Sequence, residues 1–288
     1  MAVYDRRYRG YDGPLTPLAS RWRALPRYAW AGVFRSRLFV GFYTLCFAWP
    51  IVGLVWIYVH HNLAALAKLG LGDTVLAPPV TGETAAAFMG IQCFAFGSLV
   101  ALLVGPSLVA PDLANGSLPL FLSRPLTRTG YVLGKFATLS TLLSLITWIP
   151  GVVLFVLEAW LAGWGWFVAN LWLLAAIVLG AGIWITTITL LALAMSALAR
   201  RKVIAQTYLL GIVIFGSVAG GTINILFGTR LGFVFNIPEL MHTVWEGLFR
   251  VDLSAQLPKP AAWLALTSLI GISIAVLARK LRAYEIVT

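Results

Sequence analysis

Few side chains in this sequence combine the types and spacing that chemistry needs, and most of those fail on position. The histidines are His60, His61 and His242. Adjacent histidines point to different faces of a helix, so His60 and His61 lack the spacing of a metal-ligand pair. Met89 and Cys93 stand four apart, which would suit a soft metal, but both residue types are ordinary fillers of an apolar core. Glu158 is the one acid within a long apolar run, where a carboxylate suggests a proton or cation path. It lies 22 residues past Phe136, roughly 33 Å along a helix, which moves it to the far boundary of the run. The stretch GYVLGK at 130–135 fails as a phosphate-binding loop. Three residues rather than four separate Gly130 from Gly134-Lys135, Phe136 stands where a magnesium-holding Ser or Thr belongs, and no strand precedes it. With no nucleophile and base pair and no metal cluster, the apolar runs argue against an enzyme, and no cofactor is expected.

The elements that hold these residues are membrane spans. The chain is 60% hydrophobic and 11% charged, against about a quarter charged in a soluble domain. Six apolar runs, about 38–59, 87–110, 137–161, 168–198, 203–227 and 261–278, are each long enough to cross ~30 Å of hydrocarbon. None alternates as a barrel strand does, so all are read as helices whose backbone satisfies its own hydrogen bonds. The expected class is an all-α integral membrane protein. A cytoplasmic tail with an interfacial helix occupies 1–37, and a six-span domain occupies 38–288. The fourth run exceeds what a span needs and is expected to tilt or to extend beyond the bilayer. Cys46 and Cys93 both fall within runs and imply no disulfide framework. Eight arginines in the first 37 residues and the long run that follows point to a retained tail rather than a cleaved signal.

An even number of spans puts both termini on one side, and charge selects it. The tail, the stretch around 111–136, the Arg200-Arg201-Lys202 cluster and the Arg279, Lys280 and Arg282 group hold 17 of the 21 basic residues. That side is expected to be cytoplasmic, in a multi-pass protein of the cell inner (plasma) membrane. The formal charge of +11 then reflects topology and contact with membrane lipid, and no nucleic-acid fold signature accompanies it.

Two further helices are expected. In RWRALPRYAWAGVFRSR, Trp22, Leu25, Ala29 and Val33 form one stripe with Arg21, Arg23, Arg27 and Arg35 largely off it, which suits a helix in the headgroup layer. Pro26 is tolerated only near its start. In NIPELMHTVWEGLF, Asn236 reads as an N-cap and Glu239 takes the capping-box position. Leu240, Met241, Val244, Trp245, Leu248 and Phe249 follow at helical spacing, giving a short amphipathic or re-entrant helix on the outer side.

The interruption PDLANGSLPLFLSRPLTRTGYVLGKF, residues 111–136, sits between two apolar runs. Asp112 or Asn115 can cap a short helix through Leu118, Leu120, Phe121 and Leu122, with Pro119 in its first turn and Pro125 ending it. Composition alone leaves two readings, an apolar-faced helix along the membrane or a basic turn in which Arg124, Arg128 and Lys135 enforce topology.

The stretch resembles the loop between spans two and three of type 2 ABC exporter permeases. That pattern runs acid, three residues, Gly-Thr, an apolar run, Ser, any residue, Pro, two residues, Arg, then Gly-Lys. Here it is Asp112, Gly116-Ser117, Leu118 to Leu122, Ser123-Arg124-Pro125, Arg128 and Gly134-Lys135. Ser117 replaces the usual Thr, Pro119 enters the apolar run, and a second acid common near Ala114 is missing. The six spans, the leading interfacial helix and the outer helical loop extend the likeness over nearly the whole chain.

The resemblance implies a permease subunit rather than an enzyme. Its coupling helix would rest in a groove of a separate ABC ATPase subunit, and a second permease chain, identical or paralogous, would pair with it. Asp112, Gly116, Ser117, Leu118, Leu120, Phe121, Arg124 and Arg128 are then the candidate coupling residues. The alternative is a membrane anchor or regulator driven by a partner ATPase. Thr141, Ser144, Thr186 and Thr187 either line a polar path for cargo or serve helix packing, as do Thr138, Ser140, Thr147 and Thr189. Gly216 with Gly220, and Ser217 with Gly221, offer a close-packing face, internal or at a dimer seam.

Overall fold

The structure is a computed structural model that describes residues 22–62, 79–117 and 127–281. Among these residues every regular element is helical. Six helices are long and apolar enough to cross a membrane: spans one (Arg37–His61), two (Gly82–Ala114), three (Arg128–Ala162), four (Leu171–Leu198), five (Lys202–Phe227) and six (Lys259–Lys280). Spans two and three continue well past their apolar runs into the polar interruption between them. The fourth run is broken near its start. A short helix, Trp164–Ala169, precedes a turn at Asn170, whose side-chain amide donates to the Trp166 carbonyl at 2.9 Å, and span four starts afresh at Leu171.

Span four is the axis of the bundle. Nearly every residue from Trp184 to Ala197 is buried, and it packs against spans two, three, five and six. Its apolar residues fill all sides rather than one stripe, as expected of a helix without a solvent face. Both cysteines are fully buried, and Met89 and Cys93 sit in the core.

Three spans carry interior prolines, and for Pro50, Pro106 and Pro150 the packing supplies a donor. A proline within a helix lacks the N–H that the carbonyl four residues earlier would accept. Pro50 leaves the Cys46 carbonyl, Pro150 that of Ile146, and Pro106 that of Leu102. The buried side-chain amide of Gln92 donates to both the Cys46 carbonyl, at 3.0 Å, and the Ile146 carbonyl. Gln206 of span five donates to the Leu102 carbonyl at 3.2 Å. Ser196 of span four inserts into the same part of span two: its hydroxyl donates to the Pro106 carbonyl at 2.9 Å and accepts from the N–H groups of Val109 and Ala110. Gln92 itself lies in a π-helical segment of span two, Ile91–Gly97.

The leading helix forms over Ala24–Val33 with the expected stripe turned inward. Trp22, Leu25, Ala29 and Val33 are half-buried, joined by Pro26 and Trp30, whereas Arg23, Arg27 and Arg35 are exposed. Pro26 is the third helical residue, where its missing N–H removes no bond within the helix. The stripe lies on span three. The Trp30 indole donates to the Thr138 carbonyl at 3.0 Å, and a Cβ at Gly134 would come within 2.7 Å of Leu25, so only glycine permits this approach.

Replacing Gln92 with Leu strands two buried carbonyls and is expected to cost about 1–3 kcal/mol in reversible unfolding in micelles. Pro150→Ala restores a donor to Ile146, so the double variant should lose about 1 kcal/mol less than the sum of the single losses. Strict additivity would exclude this pairing.

Candidate functional site

The junction between spans two and three is built from both sides of the undescribed segment 118–126. The last helical stretch of span two, Pro106–Ala114, ends at Asn115, and Gly116 follows with φ of +61°. The Gly116 N–H donates to the Leu113 carbonyl at 3.4 Å and the Ser117 N–H to the Asp112 carbonyl at 3.0 Å. These two bonds make a Schellman cap, which needs a left-handed residue at Gly116. The Ser117 hydroxyl also donates to the Asp112 carbonyl at 3.0 Å. Asp112 is therefore part of span two, and the short helix expected through 118–122 lies outside the described residues. Asp112 lies in the final turn of span two, and Asn115 closes that turn.

Span three begins with Thr127 as its N-cap, the hydroxyl accepting from the Gly130 N–H at 3.0 Å. Tyr131 and Lys135 lie four apart on one face of this helix, turned toward Asp112. The Lys135 ammonium is 2.8 Å from Asp112 Oδ2, and the Tyr131 hydroxyl donates to the same oxygen at 2.7 Å. The ammonium also sits 5.3 Å from the centre of the Tyr131 ring. GYVLGK is thus ordinary helix, with Gly134 under the leading helix and Lys135 engaged by a carboxylate.

The sequence-derived site residues consequently divide. Asp112, Gly116 and Ser117 come together as one capped turn whose carboxylate is held within the chain. Arg128 is exposed in the first turn of span three. Leu118, Leu120, Phe121 and Arg124 lie outside the described residues. The Asp112, Tyr131 and Lys135 cluster was the feature that sequence reasoning missed. Its signal was the i, i+4 spacing of Tyr131 and Lys135 opposite Asp112, the lone acid of residues 111–136.

The hydroxyls named as a polar path are largely occupied by their own helices. Thr186 donates to the Gly182 carbonyl at 2.8 Å and Thr187 to that of Ile183 at 2.9 Å. Thr138 and Thr147 do the same toward Gly134 and Leu143. Thr141 and Ser144 are half-buried on span three, and the Thr189 hydroxyl is buried with no partner among the described residues.

At the opposite end of the bundle, Glu158 is buried within the protein, with its Oε2 3.1 Å from His61 Nε2 at the end of span one. His242 packs edge-on against Phe94 at 5.3 Å. Helix Ile237–Phe249 forms with Asn236 as N-cap, accepting from the Glu239 N–H at 3.4 Å. The reciprocal half of the capping box is replaced, because Glu239 Oε1 accepts from the Gln256 N–H at 2.8 Å. This helix is seated in the bundle rather than lying on its surface. Trp245 is fully buried and donates to the Gly180 carbonyl of span four at 3.1 Å. The small residues of span five face inward to the same region: a Cβ at Gly216 would collide with the Phe235 carbonyl oxygen, and one at Gly220 with that of Gly232. Gly221 faces open space.

Comparison with known families gives one finding. A family model described as ABC-2 family transporter protein matches residues 61–278, a stretch that takes in the junction, both its flanking spans and the seated helix. No curated protein matches the chain.

A methyl group added at Gly116 would have no neighbour within 4 Å among the described residues, so Gly116→Ala should carry little beyond the left-handed backbone penalty, about 1 kcal/mol. Gly116→Asn should recover most of it. Unfolding in micelles would measure both, and equal losses for Ala and Asn would contradict the left-handed cap.

Proposed function

Because this chain belongs to the ABC-2 transporter family and is a membrane permease component of an ABC transporter, we propose that it works as an exporter driven by a separate ATPase subunit that engages the span two to span three junction. The basic side faces the cytoplasm of a cell whose inner membrane holds the protein, and both termini lie on that side. Two permease chains pair, each carrying one ATPase. Leu118, Leu120 and Phe121 supply apolar anchors to the ATPase groove, and Arg124 and Arg128 supply polar contacts.

The observation that supports this reading is the way the segment 118–126 is tethered. The turn before it is fixed by the Gly116 cap, the turn after it by Thr127, and the two are joined through Asp112, Lys135 and Tyr131. Force applied to such a segment is delivered to spans two and three together, and through Gly134 and Trp30 to the leading helix. A rigid-body rotation of these elements is the kind of switch that closing ATPases would drive. Asp112 acts in this scheme by holding the lever, since its carboxylate is already shared by two groups of its own chain.

Two experiments test the proposal. Phe121→Asp combined with Arg128→Glu should abolish co-purification of the ATPase, and undiminished co-purification would count strongly against the coupling role. Asp112→Asn or Lys135→Gln alone should leave the ATPase bound but lower cargo accumulated per ATP about 5-fold or more in reconstituted vesicles. The charge-exchanged pair Asp112→Lys with Lys135→Asp should recover part of that loss. Wild-type coupling in both single variants would remove Asp112 from the scheme.

A further inference from the structure

Spans one to four leave a cavity of about 250 Å³ between them on the side of His61. Its walls are Trp49 and Trp56 of span one and Phe88 and Ile91 of span two, and its floor is Leu154, Leu173 and Ile177. The mouth opens sideways between spans one and two, where Val52 is 50% exposed, Trp56 39% and Ile91 42%. Those residues continue directly into the outward apolar surface of the same spans, which carries Ile51 and Val55. The cavity is therefore an inlet of the surface that six membrane-spanning helices present to hydrocarbon.

The chemistry of the lining disfavours a polar occupant. Among the described residues no charged side chain lines the cavity, and the lining hydrogen-bonding side chains are Thr84, Trp49 and Trp56. Thr84 gives its hydroxyl hydrogen to the Thr81 carbonyl at 3.1 Å and accepts from the Thr81 N–H at 2.8 Å. The Trp49 indole donates to the Phe88 carbonyl at 3.3 Å, with the two rings stacked at 6.1 Å. Trp56 stands at the mouth. A polar group brought to the floor would lose its water with nothing to replace it.

The space is also bounded rather than slack. Gly53 and Gly151 close the helices around it, since a Cβ on either would come within 2.9 Å of Leu154 or Ile177 respectively. At about 250 Å³ the cavity falls below the ~300–1,000 Å³ usual for sites of ring-bearing ligands. It suits a narrow flexible chain.

We propose that this cavity is a binding site for one acyl chain of a bilayer lipid, drawn from the leaflet on the His61 side. The chain lies beside Met89 and Gly151, next to the proline junction that Gln92 holds, and so fills the wedge between the bent halves of spans one and three.

The full-length protein, reconstituted in nanodiscs of phosphatidylethanolamine and phosphatidylglycerol, tests this with a phospholipid carrying a diazirine midway along one chain. After illumination, peptide mapping should find label on the floor residues Leu154 and Leu173 as well as on Phe215 and Ile225, which are exposed on span five. Ala85→Trp, which fills the cavity from span two, should cut the floor labelling severalfold and leave the span five labelling unchanged. Label confined to outward residues would overturn the proposal. So would floor labelling by a diazirine fatty acid or other apolar solute but not by the phospholipid, since the occupant would then not be a bilayer lipid chain. The wild-type map decides the question even if the tryptophan variant does not fold.

Discussion

Everything in this bundle depends on how an apolar interior treats a carbonyl without a donor. In water a proline inside a helix frees a carbonyl that solvent then satisfies, but within hydrocarbon the donor must come from protein. Here the donors come from neighbouring spans. Gln92 serves the carbonyls freed by Pro50 and Pro150, and Gln206 the one freed by Pro106. Each bond ties the bend of one helix to the position of another. The kinks of spans one and three are thus joined through a single side chain, and the kink of span two is joined to spans four and five through Ser196 and Gln206.

The same logic of local satisfaction governs the basic end. The polar interruption is entered and left through capped turns, so the backbone groups at its edges are used before the segment between them begins. The Asp112 carboxylate then draws the two turns together with one ammonium and one phenol. Bends in the middle of the spans and a tie at their ends make a bundle whose halves are linked at few, identifiable bonds. That arrangement is compatible with rotation of whole elements and resists local bending at the tie.

Much of this was readable in the sequence. Runs of about 20 apolar residues located six spans, because the length of a span is set by the thickness of hydrocarbon and needs no partner to define it. The leading stripe of Trp22, Leu25, Ala29 and Val33 and the cap at Asn236 were equally local signals. What escaped was what depends on register between helices. Prolines at 50, 106 and 150 were visible, but nothing in one dimension says that Gln92 stands opposite two of the freed carbonyls. Asp112 looked like a cap because its neighbours resembled a helix start. Its partner Lys135 lies 23 residues away, and the Schellman turn at Gly116 places Asp112 at the end of span two. The small residues of span five suggested either an internal contact or a seam between chains, and only the position of Phe235 and Gly232 chose the former for Gly216 and Gly220. The seated helix was identified, but its depth was set by one indole reaching Gly180.

The burial of the two cysteines has a practical consequence. Cys46 and Cys93 are the whole complement of this sequence, and both are fully enclosed, with the Cys46 sulfur turned to the Phe42 carbonyl. The folded native chain is therefore silent to maleimides without any need to delete its sulfhydryls. A single cysteine introduced on any loop would report its own accessibility against an unreactive background, leaving the packing around both natural residues untouched.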